Sequence, residues 1–145
     1  MVTAKEYLEQ VGKLDKEAKS AIDKATELRS KLEYKSPSLD GVGNRSKHKS
    51  RDEAIATVIE YEQQAEQLRT AGILKYKEID EAIHAVENPT YRRILELRYL
   101  SGLEFVDKYD ENGELLHKGI ASIMGYSVKH TGYLHGQALR QIKVP

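Results

Sequence analysis

Apolar residues in the first 33 positions recur with a period suited to a helix packed along another helix. Tyr7, Val11, Leu14, Ala18, Ala21, Ala25, Leu28 and Leu32 follow one another at alternating spacings of four and three, which is the seam of a heptad repeat. Lysines and glutamates flank the seam, and Thr3 with Glu6 has the spacing of a capping box. Ala18, Ala21 and Ala25 hold the middle of the stripe, so it permits close approach of a partner helix while burying little area. The expected structure of 1–33 is one arm of a coiled coil. The simpler alternative is a single amphipathic helix laid on a globular domain.

A second stripe has the same rhythm. Val58, Tyr61, Ala65, Leu68, Gly72, Tyr76, Ile79, Ile83 and Val86 continue at three and four, with Ile55 leading in. Ser50 and Glu53 repeat the capping-box spacing, placing the helix start at Arg51. The two stripes are close enough in length to fold back as a long antiparallel helical hairpin over 1–87, each arm on the order of 45 Å long. Gly72 costs about 1 kcal/mol relative to alanine inside a helix, which marks a bend or a close crossing. Glu60, Glu62 and His84 are too far apart in helical phase to share a metal ion, so no metal is expected there.

Between the arms, Ser36-Pro37, Gly41 and Gly43-Asn44 break any helix. Arg45, Lys47, His48, Lys49 and Arg51 then cluster within seven positions, across the end of a basic connector taken as 34–50. It reads either as a solvated loop joining two helices or as a second phosphate-contacting patch. The GVGN stretch lacks the Gly-Lys-Ser/Thr ending and the preceding strand of a phosphate loop.

Composition agrees with long helices around a thin core: 39% of the 145 residues are apolar, with one Phe and no Trp. The formal net charge of zero conceals a strong segregation. Lys plus Arg against Asp plus Glu stands at 5 to 1 over 34–51, at 3 to 9 over 52–87 and at 4 to 0 over 116–145. Two positive islands therefore flank a negative arm whose carboxylates would repel nucleic acid. With no cysteine there is neither a disulfide framework nor a thiolate nucleophile. No apolar run approaches the roughly 20 residues of a membrane span, and the first residues lack a signal-peptide core. A cytoplasmic protein with no membrane partner is the expectation.

The C-terminal part, 88–145, has a different grammar. Asn88-Pro89 is a helix start, with Asn as cap and Pro at the first helical position. Tyr91, Ile94, Leu95, Arg98, Tyr99 and Leu103 then form a helical stripe that ends near Gly102. From His117 to Ile142 the spacing predicts two short helices joined by a tight turn. Ala121 and Gly125 stand four apart, and Ile120, Met124 and Leu134 are placed to fill one small core. Gly125 can adopt positive φ without a Cβ penalty, and Ser127 can cap the second helix. Ser127, Lys129, Gly132, Tyr133, Gly136 and Gln137 would face outward, with Thr131, Leu134, Ala138 and Ile142 inward. This is the helix-turn-helix pattern, and its second helix lies in a segment without a single carboxylate from Leu115 onward.

An insert, 104–117, separates these helices from the preceding one. Asn112-Gly113 between Phe105/Val106 and Leu115/Leu116 signals a two-residue β-hairpin. Asp107, Asp110, Glu111 and Glu114 argue against phosphate contact there, so the insert is expected to pack beside the domain or to meet a protein.

The string RRILELRYLSG followed by IASIMGYSVKH and LHGQAL resembles the C-terminal DNA-binding part of sigma factors, region 4. It resembles more closely the sigma-like late-gene regulators of Gram-positive phages and prophages, of the ArpU/RinA kind. The likeness covers 89–142, and the insert is a departure from its usual short spacer. The resemblance implies a phage or prophage transcription regulator in the bacterial host cytoplasm, binding promoter double-stranded DNA and touching RNA polymerase. It would dimerise through its helical arms, with half-sites about 34 Å apart.

On that reading the 128–142 helix enters the major groove, with Lys129 and Tyr133 as base-edge candidates and Gln137 able to pair with adenine. Lys118, Lys129 and Arg140 would clamp phosphates, joined by Ser127 at the helix N-terminus and by His130. His135 is expected to pack half-buried, and Arg92, Arg93 and Arg98 either meet the DNA backbone or pair with Glu96 and Glu104. No nucleophile–base–acid set, paired catalytic carboxylates or cofactor loop is present, so neither an enzyme nor a cofactor is expected. Two rival readings remain: a small-terminase-like DNA-packaging factor, and a protein–protein adaptor whose helix-turn-helix no longer binds DNA.

Overall fold

A computed structural model describes residues 1–34 and 45–145. It is mostly helical: α1 (Ala4–Tyr34), α2 (Arg45–His84), α3 (Pro89–Leu95), α4 (Ile120–Met124) and α5 (Val128–Arg140). The strands among the described residues are β1 (Lys108–Tyr109) and β2 (Leu115–His117), paired antiparallel. The all-α class expected from the sequence is therefore observed. No described helix is long and apolar enough to cross a membrane.

The chain divides into two compact units, one of Leu14–Gly72 and the other of Met1–Lys13 with Ile73–Pro145. An expected boundary between 87 and 88 does not match this division. The reason is a shared core: Tyr7 and Leu8 at the start of α1, and Ile79, Ile83 and Val86 near the end of α2, are buried together with Leu95, Tyr99, Ala138 and Ile142.

In the 14–72 unit the buried residues are small. Ala18, Ala21, Ala25, Val58 and Ala65 lose nearly all their exposure, which lets backbones approach but removes little apolar area from water. A Cβ added at Gly72 would lie 3.8 Å from Leu14 Cβ, an ordinary contact, so this glycine is not demanded by crowding. Around the apolar seam, Arg29 is hydrogen-bonded to Glu62, and the Lys24 ammonium lies 5.7 Å from the Tyr61 ring centroid. The Arg29–Glu62 pair is exposed, and its energetic worth is small.

Three features of the long helices differ from expectation. First, α2 begins at Arg45 rather than at Arg51, so Ser50 and Glu53 lie inside the helix and do not start it. Beyond Gly43-Asn44 no residue opposes helix, and a capping-box spacing is also an ordinary i, i+3 pair. Of the basic connector, 35–44 lies outside the described residues and 45–50 is helical. Second, Tyr76 is 45% exposed and Ile55 42% exposed. The seam passes from Gly72 through half-buried Lys75 to Ile79 instead. Third, Leu8 joins Tyr7 in the core with no exposure at all. The capping box at the start of α1 forms as its spacing predicts: Glu6 Oε2 accepts from Thr3 N–H at 2.8 Å, and Thr3 Oγ1 from Glu6 N–H at 3.2 Å.

In the other unit, Asn88 caps α3 by accepting from Thr90 N–H at 2.9 Å and Tyr91 N–H at 3.3 Å, with Pro89 in the first turn. The helix then widens into one π-helical turn, Glu96–Leu100, closed by Ser101 N–H donating to Glu96 O at 2.9 Å. Gly102 follows at φ 70°, ending it. This run feeds two buried clusters. Leu95 and Tyr99 enter the one described above, while Ile94 and Leu97 join Ile120, with Leu103, Phe105, Met124 and Leu134 around them. Each fully buried Ile or Leu of this set contributes about 1.5–3 kcal/mol of transfer free energy.

The insert forms a hairpin, but not on the expected residues. Its first strand is Lys108–Tyr109 rather than Phe105/Val106, because Phe105 is drawn beneath into the second cluster. The turn is longer than Asn112-Gly113 alone. Asp110 Oδ1 accepts from Asn112 and Glu114 N–H groups, and Gly113 takes φ 79°.

Candidate nucleic-acid interface

The geometry of the C-terminal helices follows from four local devices. Gly125, at φ 76° and ψ 27°, ends α4, and its N–H donates to Ala121 O. A left-handed C-terminal residue of this kind is nearly cost-free only for glycine. Two residues on, Ser127 caps α5, its Oγ accepting from His130 N–H at 3.1 Å. Thr131, the one buried polar residue of α5, is satisfied by donating its hydroxyl to Ser127 O at 2.8 Å. The first amides of α4 are met by the insert: Ile120 N–H donates to Glu104 O at 2.9 Å and Ala121 N–H to Phe105 O at 3.2 Å.

Asp107 completes that cap, its Oδ1 accepting from Gly119 N–H at 2.7 Å. The Gly119 and Ser122 bonds hold its carboxyl below the usual carboxylate value, in that order. The acidic insert thus serves the N-terminus of α4, where a negative charge is favourable.

α5 packs its inner side on α3 through Ala138 and on the second cluster through Leu134. The same side of α5 also makes a polar contact in an aromatic setting. Tyr99 Oη and His135 Nε2 are hydrogen-bonded at 2.7 Å, and Phe105 meets the imidazole edge-on at 5.1 Å between centroids. Burial, then the Arg98 and Lys5 charges, push His135 down to about 4, and burial pushes Tyr99 up to about 12. At neutral pH both are therefore uncharged. His135 is half-buried, as expected from the sequence.

The outward side of α5 carries most of the sequence-derived site. Lys129, His130, Tyr133 and Arg140 are exposed and Gln137 is half-buried. At 3.6 residues per turn, all five fall within roughly 60° of Tyr133 around the helix. Gln137 is less open than its expected outward position. Ser127 stands at the N-terminal end of the same helix; its Oγ already accepts one bond, leaving the hydroxyl proton to donate. Lys118 is exposed but lies in the connection between β2 and α4, off this helix.

Arg98 departs from its expected role: it donates to Leu103 O at 3.0 Å, with its guanidinium 5.1 Å from the Phe105 ring, so it holds the loop. Arg93 pairs with Glu96 at 3.7 Å, one of the alternatives weighed from the sequence.

One group escaped the sequence reading. Tyr126, in the turn, meets the His130 ring edge-on at 5.1 Å, and His130 is stacked with Tyr133 at 6.4 Å and 20°. Ile123, Tyr126, Val128 and Tyr133 are 41%, 39%, 48% and 63% exposed around the same turn. The spacing of four and then three from Tyr126 to Tyr133 was the available signal. Comparison with protein-family models, curated proteins and solved structures finds no match to this chain.

Proposed function

We propose that this chain is a sequence-specific, double-stranded-DNA-binding transcription regulator of the sigma-like phage or prophage kind. In this reading α4, Gly125 and α5 form a helix-turn-helix with α5 in the major groove. The two long helices form an antiparallel hairpin that supplies a self-association or partner surface, and RNA polymerase is the second partner. Lys129 and Tyr133 face base edges, while Lys118, Ser127, His130 and Arg140 engage phosphates.

One observation carries the reading. α5 buries one side and turns the other, which holds Lys129, Tyr133 and Arg140 and no carboxylate, toward solvent. A polyanion meets no like charge on that helix, and its exposed residues include both phosphate-seeking cations and groups that can reach base edges.

The test is binding of the full chain to duplexes selected from a random pool, measured across salt concentrations. The expected result is a steep linear fall of log K with log salt, at a slope of about −0.9 per phosphate contacted. Lys118→Ala and Arg140→Ala should each reduce that slope by about 1. Binding that ignores salt, or no duplex binding at all, overturns the proposal in favour of an adaptor role.

A further inference from the structure

The exposed side chains around the turn and the first half of α5 suggest what kind of base edge this surface would read. Each base offers a different edge in the major groove. Guanine presents two acceptors suited to Arg or Lys, adenine a donor–acceptor pair suited to Asn or Gln, and cytosine an amino donor suited to a carboxylate. Thymine presents a C5-methyl group suited to an apolar surface. From Val128 to His135, α5 holds no Arg, Asn, Gln, Asp or Glu, and Lys129 is its single charged donor. Beside Lys129 and His130 it exposes apolar surface: Val128 and Tyr133 on the helix, with Tyr126 and Ile123 beside them on the turn and α4.

The aromatic side chains are also held in order. His130 lies between Tyr126, edge-on at 5.1 Å, and Tyr133, stacked at 6.4 Å. Edge-to-face and offset-stacked rings restrict one another's rotamers. Tyr133 thus presents its ring alongside that of His130. Leaving these groups open gains nothing for the free chain, whose apolar surface is better out of water. The residues at the N-terminal end of a recognition helix are those that reach base edges.

We infer that this surface reads thymine methyl groups, with Val128 and Tyr133 in contact with the methyls and the Tyr126–His130 pair orienting the Tyr133 ring. The inference rests on the DNA-binding reading above. It assigns Tyr126 a positioning role, and it gives His130 an orienting role in addition to any phosphate contact.

The experiment uses the full chain and two duplexes. One is the sequence it selects from a random pool; the other has deoxyuridine in place of each thymidine of the selected site. Removing a methyl leaves phosphates and hydrogen-bonding edges intact, so only apolar contact changes. The expected loss is about fourfold in affinity for each contacted methyl, with the salt slope unchanged. Tyr133→Ala, a change at an exposed position, should weaken binding to the thymidine duplex and shrink the thymidine–deoxyuridine difference.

Equal affinity of the unaltered chain for both duplexes overturns the inference while leaving the DNA-binding reading intact, and it requires no variant to fold. A selected site without thymine at any fixed position overturns it equally. Failure to bind any duplex overturns both readings together.

Discussion

Asp107 and Gly119 are joined by a 2.7 Å hydrogen bond from the Gly119 amide to the Asp107 carboxylate. The contact ties the inserted hairpin to the first of the two C-terminal helices. It is also a tight one. A Cβ on Gly119 would lie 2.5 Å from the Phe105 carbonyl oxygen, against backbone that cannot easily yield. Gly119→Ala should therefore destabilise the protein by about 1–3 kcal/mol or more, read as a lower urea midpoint. Asp107→Ala should lower the midpoint too. Because the folded carboxyl is held below its ordinary value, its contribution is complete above the unfolded pKa and is lost as pH falls through the folded one. The gap between parent and Asp107→Ala should accordingly close in acid.

Gly125 gives the second expectation. Its φ of 76° lies in the left-handed region, where an L-residue with a Cβ costs about 1–2 kcal/mol. No atom stands within 4 Å of a Cβ built there, so the cost is conformational and not steric. Gly125→Ala should lower stability by that amount, and Gly125→Asn by less. Equal midpoints for glycine and alanine would contradict the turn geometry.

His135 gives a pH dependence of definite sign. Its folded pKa is depressed to about 4 from the ordinary 6.5, so the unfolded chain binds more protons across that interval. Stability from keeping the imidazole neutral is present above pH 6.5 and drains away as pH falls toward 4. His135→Gln, which cannot take up the proton, should show a smaller loss between pH 7 and pH 5 than the parent. The comparison is needed because His84, raised by Asp80, titrates with the opposite sign.

For the proposed DNA contact, Lys129→Ala combined with Tyr133→Ala should reduce sequence preference more than overall affinity. Competition between a selected duplex and a random one measures this. An equal loss on both would remove these residues from base readout and leave them as backbone contacts.

What the sequence disclosed and what it withheld divide along physical lines. The Asn88 cap, the Gly125 turn and the Ser127 cap were legible because each depends on local backbone geometry that few residue types satisfy. The α2 seam was only half legible. Gly72–Tyr76–Ile79 and Gly72–Lys75–Ile79 fit the same three-and-four rhythm, and hydrophobicity favours the tyrosine, whereas helical phase buries the lysine stem. The first strand was misplaced because Phe105 reads equally well as strand or core. Arg98 and Asp107 were illegible for another reason: their partners, Leu103 O and Gly119 N, are backbone atoms whose position depends on the path of the insert. The α5 face was legible as an amphipathic period, while the ordering of Tyr126, His130 and Tyr133 depends on how the turn brings Tyr126 back against α5.

The burial of Tyr7 and Leu8 beside Ala138 and Ile142 bears on how this chain can be cut and recombined. An excised 88–145 piece would expose the floor on which its last helix rests, although its sequence looks self-sufficient. Starting the chain after Lys13 would strip the same floor from the opposite end. The C-terminal helices are thus no portable cassette, and grafting them elsewhere means carrying along both distant segments that complete their support.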